Sequence, residues 1–193
     1  MNIYMKEYQL NVDPRILELL GPNLYTNIYY VLAELVANAY DADAHNVYII
    51  SNKDDIRIED DGHGMSHNDL VNGFMRVSST SKIHEPTSPI FNRQRAGQKG
   101  IGRFSVQRLG RKLTIITQTR DSDNALKLII NWDDYNRDGN LFIVENTLEV
   151  IPKTKEKGTT LIIEYLRDRW SRASIQRVYR YVSDIIRPII PSD

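Results

Sequence analysis

The chain predicts an α+β fold: a two-layer sandwich in which helices cover one face of a mixed, mostly antiparallel sheet. Three observations lead there. Ile28, Leu32, Leu35, Val36 and Ala39 recur at helical spacing and form one apolar stripe. The second half carries strand-like runs rich in Ile, Leu, Val and Thr, separated by polar connections. A last run, Ile175, Val178, Val182, Ile185 and Ile186, returns to the helical period.

Taken in order, residues 1–12 read as an arm with a short strand at Tyr8–Val12. Asp13-Pro14 is an N-cap followed by proline, opening a short helix Arg15–Leu20 that Gly21-Pro22 stops. The main helix spans about Tyr25 to Tyr40. Asn46–Ser51 and Asp55–Glu59 alternate apolar and polar residues around the turn Asn52-Lys-Asp-Asp, which predicts a hairpin. Ser66 caps a helix over Asn68–Met75. Residues 76–99 carry no period and exceed the length compact domains usually allow in a structureless loop, so they predict a mobile lid. Its end, through 102, opens a helix over Arg103–Leu109. Strands follow at Lys112–Thr119, Ala125–Trp132, Leu141–Leu148 and Thr159–Tyr165, with connections at Asp133–Gly139 and Pro152–Gly158. The last helix, Ser174–Arg187, lies in the segment 171–187 that closes the domain.

At 193 residues the chain fits a single domain over 1–193. No apolar run approaches a membrane span and no signal peptide is evident, so the cytoplasm is the expected compartment. The absence of cysteine excludes disulfides and thiolate metal sites. Zero formal net charge argues against a chain that grips nucleic acid over its whole surface, although a local patch stays open. Arg172, Gln176 and Arg180 share a helical face, among other arginines from Arg167 onward. They read as a solvated face or, more sharply, as a contact to DNA or a following domain. His63, His67 and His84 fall on turns or loops and read as surface residues; no zinc site is expected.

Four short stretches carry chemistry. Glu34, Asn38 and Asp41 stand at i, i+4 and i+7, placing two carboxylates and a carboxamide on one helix face beside the core. Asp60-x-Gly62-x-Gly64 follows a strand, where glycine lets backbone approach a ligand and a carboxylate can accept from an exocyclic amine. Gly97-x-x-Gly100-x-Gly102 opens a helix, whose N–H groups attract anions. It is neither a Walker A loop nor a Rossmann turn. Gly158-Thr159-Thr160 begins a strand, and alone reads as a hairpin turn.

In their order, ExxxNxxDAxA, DxGxG, GxxGxG and GT resemble the four motifs of the GHKL ATPases. These include gyrase B subunits, the ninety-kilodalton heat-shock chaperones, histidine kinases and MutL, with MORC proteins related. The resemblance runs from Glu34 to Thr160, about two-thirds of the chain. Ser79-Thr80-Ser81-Lys82 is similar to the base of the MutL lid, and Gln98 gives the glycine motif a chaperone-like form.

The resemblance implies a Bergerat ATP-binding fold, ATP as ligand and Mg²⁺ as metal. It implies Glu34 as the catalytic base polarising water and Asn38 as the Mg²⁺ ligand. It implies Asp60 as reader of the adenine amino group, with Thr159 in support. Gly62, Gly64 and Met65 would flank the base. Gly97, Lys99, Gly100, Ile101 and Gly102 would cradle the phosphates under the lid, with Asp41 and Asp43 lining or orienting the site. No histidine precedes Glu34, which disfavours a kinase. The expectation is an N-terminal fragment of a larger ATPase. Lid closure and nucleotide-dependent homodimerisation would drive chaperone-like or DNA-related work, with Asn2–Val12 as an exchanged arm and slow isolated turnover. The alternatives are a nucleotide-binding switch with little hydrolysis and an interaction module with no nucleotide site.

Overall fold

The computed structural model describes residues 6–9, 28–74, 87–95, 104–136 and 145–186. Among the described residues there are seven strands: β1 (Lys6–Gln9), β2 (Val47–Ser51), β3 (Asp55–Asp60), β4 (Gly110–Gln118), β5 (Asn124–Asn131), β6 (Glu145–Pro152) and β7 (Gly158–Leu166). They form one sheet in the order β1-β6-β5-β4-β7-β3-β2, and every described pairing is antiparallel. Two helices, α1 (Ile28–Asp41) and α2 (Arg172–Ile186), pack against each other.

The core explains why the helices share one face. Val31, Leu32 and Leu35 of α1 and Val178 of α2 join Ile56, Ile58, Leu113, Ile115, Leu128, Ile130, Leu148 and Ile163 of the sheet in one buried cluster. The strand residues alternate, as a half-covered sheet requires. The opposite face carries cross-strand ion pairs, Lys112 with Glu164 at 2.8 Å and Lys127 with Glu149 at 3.0 Å, each directly opposed in register. The predicted α+β class and the helical stripe of α1 are therefore observed.

The C-terminus of α1 is a Schellman stop. Ala44 N donates to Ala39 O and Asp43 N to Tyr40 O, both at 3.1 Å, with Asp43 in the left-handed region at φ 58°. Glycine usually takes that position; the reason for an aspartate appears below.

Three expectations need correction. The third strand of the meander, expected over Leu141–Leu148, is described from Glu145 and runs on to Pro152, because Asn124–Ile129 of β5 pair with it as far as that residue; 141–144 lie outside the described residues. Pro152 is tolerated because it sits at the strand's last position, opposite Asn124. The helix expected over Arg103–Leu109 is a 3₁₀ turn, Phe104–Arg108, closed by Leu109 N donating to Val106 O. β4 begins at Gly110, which pairs with Leu166 of β7 directly after the turn; Arg103 lies outside the described residues. The helix after Ser66 is π-helical over Asp69–Phe74. Its start keeps the expected cap: Asp69 N donates to Ser66 Oγ at 3.2 Å and Ser66 N to Asp69 Oδ2 at 3.0 Å.

The arm strand expected at Tyr8–Val12 is described at Lys6–Gln9, and residues 10–12 lie outside the described residues. It pairs with β6 of its own chain, so exchange between copies would require that ladder to open. The helix at Arg15–Leu20, most of the lid, and the segment Ser79–Lys82 lie outside the described residues.

Candidate nucleotide site

The Asp60–Met65 turn is the junction of the molecule. His63 N donates to Ala42 O at 2.8 Å, docking the turn on the end of α1. Asp61 reaches the same end from the other side: its carboxylate accepts from His45 N at 2.7 Å, Asn46 N at 2.9 Å and Asn46 Nδ2 at 2.9 Å. Burial alone would raise Asp61, but these donors outweigh it and hold the carboxyl below its usual range.

The glycines of the turn are explained by backbone contact. A Cβ on Gly62 would lie 2.7 Å from Ala42 O. Gly64 has φ +74°, and a Cβ there would lie 2.1 Å from Gln118 O at the end of β4. The expectation that these glycines pass a ligand is therefore joined by a stricter requirement, close approach to α1 and β4. His63 Nδ1 lies 2.6 Å from Gly64 O; a carbonyl only accepts, so the proton sits on Nδ1. His67 is exposed and His84 lies outside the described residues.

Asp60 is held by β7. Its Oδ1 accepts from Gly62 N at 2.9 Å and Thr159 N at 3.1 Å. Among the described residues, Oδ2 accepts no hydrogen bond. Burial pushes the Asp60 carboxyl above its ordinary value, against the lowering influence of the Gly62 and Thr159 amides and of nearby Lys155. Thr159 continues inward: its hydroxyl meets that of Thr117 at 3.1 Å, and Thr117 Oγ1 accepts from Met65 N at 2.8 Å. Asp60, Met65, Thr117 and Thr159 thus form one network across three strands' ends.

On α1, Glu34 and Asn38 are half-buried and Asp41 is buried. Helical geometry puts Glu34 and Asn38 on one face of α1, one turn apart. Asp43 anchors a neighbouring segment. Fully buried, it accepts from Ile90 N at 2.8 Å and Phe91 N at 3.3 Å, holding a turn of the lid segment against α1. Burial would raise its carboxyl, but Ser88, the two amides and Arg93 bring it below its usual range. Arg93 completes the clamp, donating to Ala44 O at 3.1 Å and lying over the rings of Tyr40 and Phe91 at 4.7 and 4.6 Å.

Sequence reasoning did not single out the lysines of the Pro152–Gly158 connection. Lys153 Nζ donates to Thr119, Arg120 and Ser122 carbonyls. Lys155 Nζ donates to Asp60 O at 3.0 Å and Thr160 Oγ1 at 3.2 Å, and Lys157 Nζ to Asp61 O at 2.6 Å. Gln118, buried at the end of β4, fixes the connection by accepting from Thr154 N at 3.0 Å. An open cleft of about 810 Å³ lies beside the turn, walled by Asp43, His63, Gly64, Phe91, Lys155 and Lys157. Glu34, Asn38 and Asp60 do not line it.

Gly97, Lys99, Gly100, Ile101 and Gly102 lie outside the described residues. Arg172, Gln176 and Arg180 are all exposed on α2. Among the described residues, no group of three His, Asp or Glu side chains is placed to hold a metal ion, and no helix is long and apolar enough to cross a membrane.

Comparison with known proteins gives a match over residues 25–159 to the family described as histidine kinase-, DNA gyrase B- and HSP90-like ATPase. The putative type II restriction enzyme HgiDII of Herpetosiphon aurantiacus is 38% identical over 51% of this chain and 16% of its own length. The chaperone protein HtpG of Shouchella clausii is 25% identical over 94% of this chain and 32% of its own. The DNA mismatch repair protein MutL of Pseudothermotoga lettingae is 28% identical over 73% of this chain and 24% of its own. The chain therefore spans a third or less of the length of these relatives.

Proposed function

Because the chain belongs to the histidine kinase-, DNA gyrase B- and HSP90-like ATPase family, we propose that it binds ATP and hydrolyses it to ADP and phosphate. The observation that carries this reading is the network on Asp60. A half-buried carboxylate has one oxygen committed to Gly62 and Thr159 and the other uncommitted among the described residues, as a reader of an adenine amino group requires. Met65, Gly62 and Gly64 stand beside it as the wall for the base.

Glu34 then serves as the general base that orients and deprotonates the attacking water, and Asn38 supplies a carboxamide oxygen to Mg²⁺. One hard oxygen is too few to hold Mg²⁺ alone, which fits an ion that arrives with the nucleotide. When bound, the ion neutralises phosphate charge. Positioning does the rest: α1 presents Glu34 and Asn38 one turn apart on a helix locked by its buried stripe. Gly97, Lys99, Gly100, Ile101 and Gly102 provide amides and charge to the phosphates in this reading. Asp41 stabilises the end of α1 that meets the turn, and Asp43 anchors the lid. Nucleotide-dependent lid closure and homodimerisation within a longer protein, in the cytoplasm, would convert hydrolysis into conformational work on a client or on nucleic acid.

The test separates binding from turnover. Wild type and Glu34→Ala are compared for ADP·Mg²⁺ affinity by calorimetry and for phosphate release from ATP. The reading expects unchanged affinity with turnover lost in the variant. Equal turnover in both removes Glu34 from the base role, and no thermal stabilisation by ADP·Mg²⁺ removes the nucleotide site altogether.

A further inference from the structure

The ladder between β3 and β7 runs from Asp55↔Glu164 to Glu59↔Thr160. The next two residues, Asp60 and Thr159, are joined through a side chain, the Thr159 amide donating to Asp60 Oδ1 at 3.1 Å. At this end of the ladder Lys155 reaches in. Its Nζ donates to Asp60 O at 3.0 Å, to Thr160 Oγ1 at 3.2 Å and to Thr159 O at 3.4 Å. An ammonium has three hydrogens and no acceptor, so three oxygens from two strands satisfy it. The backbone that carries it is fixed as well. Buried Gln118 accepts from Thr154 N at 3.0 Å and Lys155 N at 3.3 Å, and at Gly158, φ +115°, a Cβ would stand 2.2 Å from Asp60 O. We propose that Lys155 is a positioning residue for Asp60 that determines base specificity. By clasping the Asp60 backbone to the start of β7, it aims the remaining carboxylate oxygen at a purine with an amino group and against one with a carbonyl. The proposal rests on the reading of Asp60 as the reader of adenine.

An ionised carboxylate only accepts hydrogen bonds. Adenine offers it an amino donor; hypoxanthine, with a carbonyl at the same position, offers a second acceptor. A carboxylate held in one place therefore attracts the first base and repels the second, and selectivity comes as much from the repulsion as from the bond. Once the end of β3 can part from β7, the carboxylate can turn away from the carbonyl, and the discrimination fades. The charge of Lys155 works in the same direction. Burial raises the Asp60 pKa, and the Lys155 ammonium, after the Gly62 and Thr159 amides, opposes that rise and favours the acceptor-only form. Lys153 is a built-in comparison. It clasps three carbonyls in the same manner, Thr119 at 2.7 Å, Arg120 at 3.1 Å and Ser122 at 2.9 Å, but these belong to the β4–β5 connection.

The experiment measures the affinities of ADP·Mg²⁺ and IDP·Mg²⁺ by calorimetry, IDP carrying hypoxanthine in place of adenine. It uses the whole chain as wild type, Asp60→Asn, Lys155→Met, Lys155→Gln and Lys153→Met. Wild type should prefer ADP about tenfold or more. Asp60→Asn, whose amide nitrogen donates toward the base, should erase that preference. Lys155→Met should cut it about three- to tenfold, the effect of one misaligned hydrogen bond, through weaker ADP binding with IDP binding held or improved. Lys155→Gln keeps one amide donor and should fall between; it decides by the same ratio if Lys155→Met does not fold. Lys153→Met should melt below wild type and keep the wild-type preference. A wild-type preference in both Lys155 variants, with Asp60→Asn having lost it, overturns the proposal and leaves the Asp60 reading intact. Equal weakening of ADP and IDP in the Lys155 variants also overturns it, because a clasp that serves stability alone does that. A preference that survives in Asp60→Asn, or is absent from wild type, overturns the Asp60 reading and the proposal with it.

Discussion

The backbone amide of Thr159 donates to Asp60 Oδ1 at 3.1 Å across a separation of 99 residues, so the start of β7 selects which carboxylate oxygen remains for a ligand. An Asp60→Asn side chain can keep that arrangement, its carbonyl oxygen still accepting from Thr159 N and Gly62 N. The amide nitrogen then faces the adenine amino group, donor against donor. We expect ADP affinity to fall by about 10- to 100-fold, equivalent to about 1.4–3 kcal/mol for a lost and mismatched buried hydrogen bond. The circular dichroism melt at neutral pH should show the variant still folded. Unchanged affinity in calorimetry would remove Asp60 from adenine recognition.

Asp60 and Asp61 are adjacent and are pushed in opposite directions from the common value of 3.8. Burial raises Asp60, so its native state binds the proton more tightly than the unfolded chain. Its contribution to stability is fully present below 3.8 and is lost as pH rises through the folded value. Asp61 is depressed by its Asn46 and His45 donors, so its contribution is present above 3.8 and is lost as pH falls through the folded value. Denaturant melts of the nucleotide-free protein across pH should therefore diverge. Asp60→Asn gains on wild type as pH rises from the unfolded value. Asp61→Asn loses on wild type at neutral pH and approaches it in acid.

Gly64 and Gly73 give a matched pair. A Cβ at Gly64 meets Gln118 O at 2.1 Å with φ +74°, while one at Gly73 meets nothing within 4 Å. Gly64→Ala should cost about 2–5 kcal/mol, combining left-handed strain with overpacking against β4. Gly73→Ala should lie within about 1 kcal/mol of wild type, on the stabilising side. Urea denaturation of the two variants measures both.

The period of α1 was legible because a buried face imposes its own spacing: Leu32, Leu35, Val36 and Ala39 are all buried as the stripe demands. The β2–β3 hairpin was legible because its strands alternate around a polar turn. β6 was legible as a strand but not to its end: the expected Leu141–Leu148 overlaps it, and the ladder with β5 carries it on through Glu149 to Pro152. In the proposed site, Glu34, Asn38, Asp60 and Thr159 were named through the resemblance of their motifs to those of the GHKL ATPases. Asp61, Thr117 and Lys155 were not, because each acts through a partner far along the chain: Asn46, Met65 and the Asp60 carbonyl. Local sequence holds no record of such pairings.

Asp43 occupies a helix stop where glycine would be easier, and the structure supplies the reason in Ile90 and Phe91. Left-handed backbone costs a non-glycine residue about 1–2 kcal/mol. Two amides donating to a buried carboxylate more than offset that, each worth about 1.5–3 kcal/mol when the acceptor is charged. Asp43→Gly removes both effects at once. The helix stop is eased and the lid turn loses its anchor, so global stability should change little while local opening grows. Arg93 still joins Ala44 O and keeps the other side of the turn attached. Hydrogen exchange should therefore accelerate at Ile90 and Phe91, about tenfold for each 1.4 kcal/mol of lost protection, with the α1 amides unaffected. Asp43→Asn tolerates the same backbone and keeps an acceptor, and should show an intermediate rate. Unaltered exchange at Ile90 in Asp43→Gly would mean that the Arg93 bond to Ala44 O, with Ser88 N donating to Arg93 O at 2.8 Å and Arg93 N to Ser88 Oγ at 2.9 Å, holds the segment down.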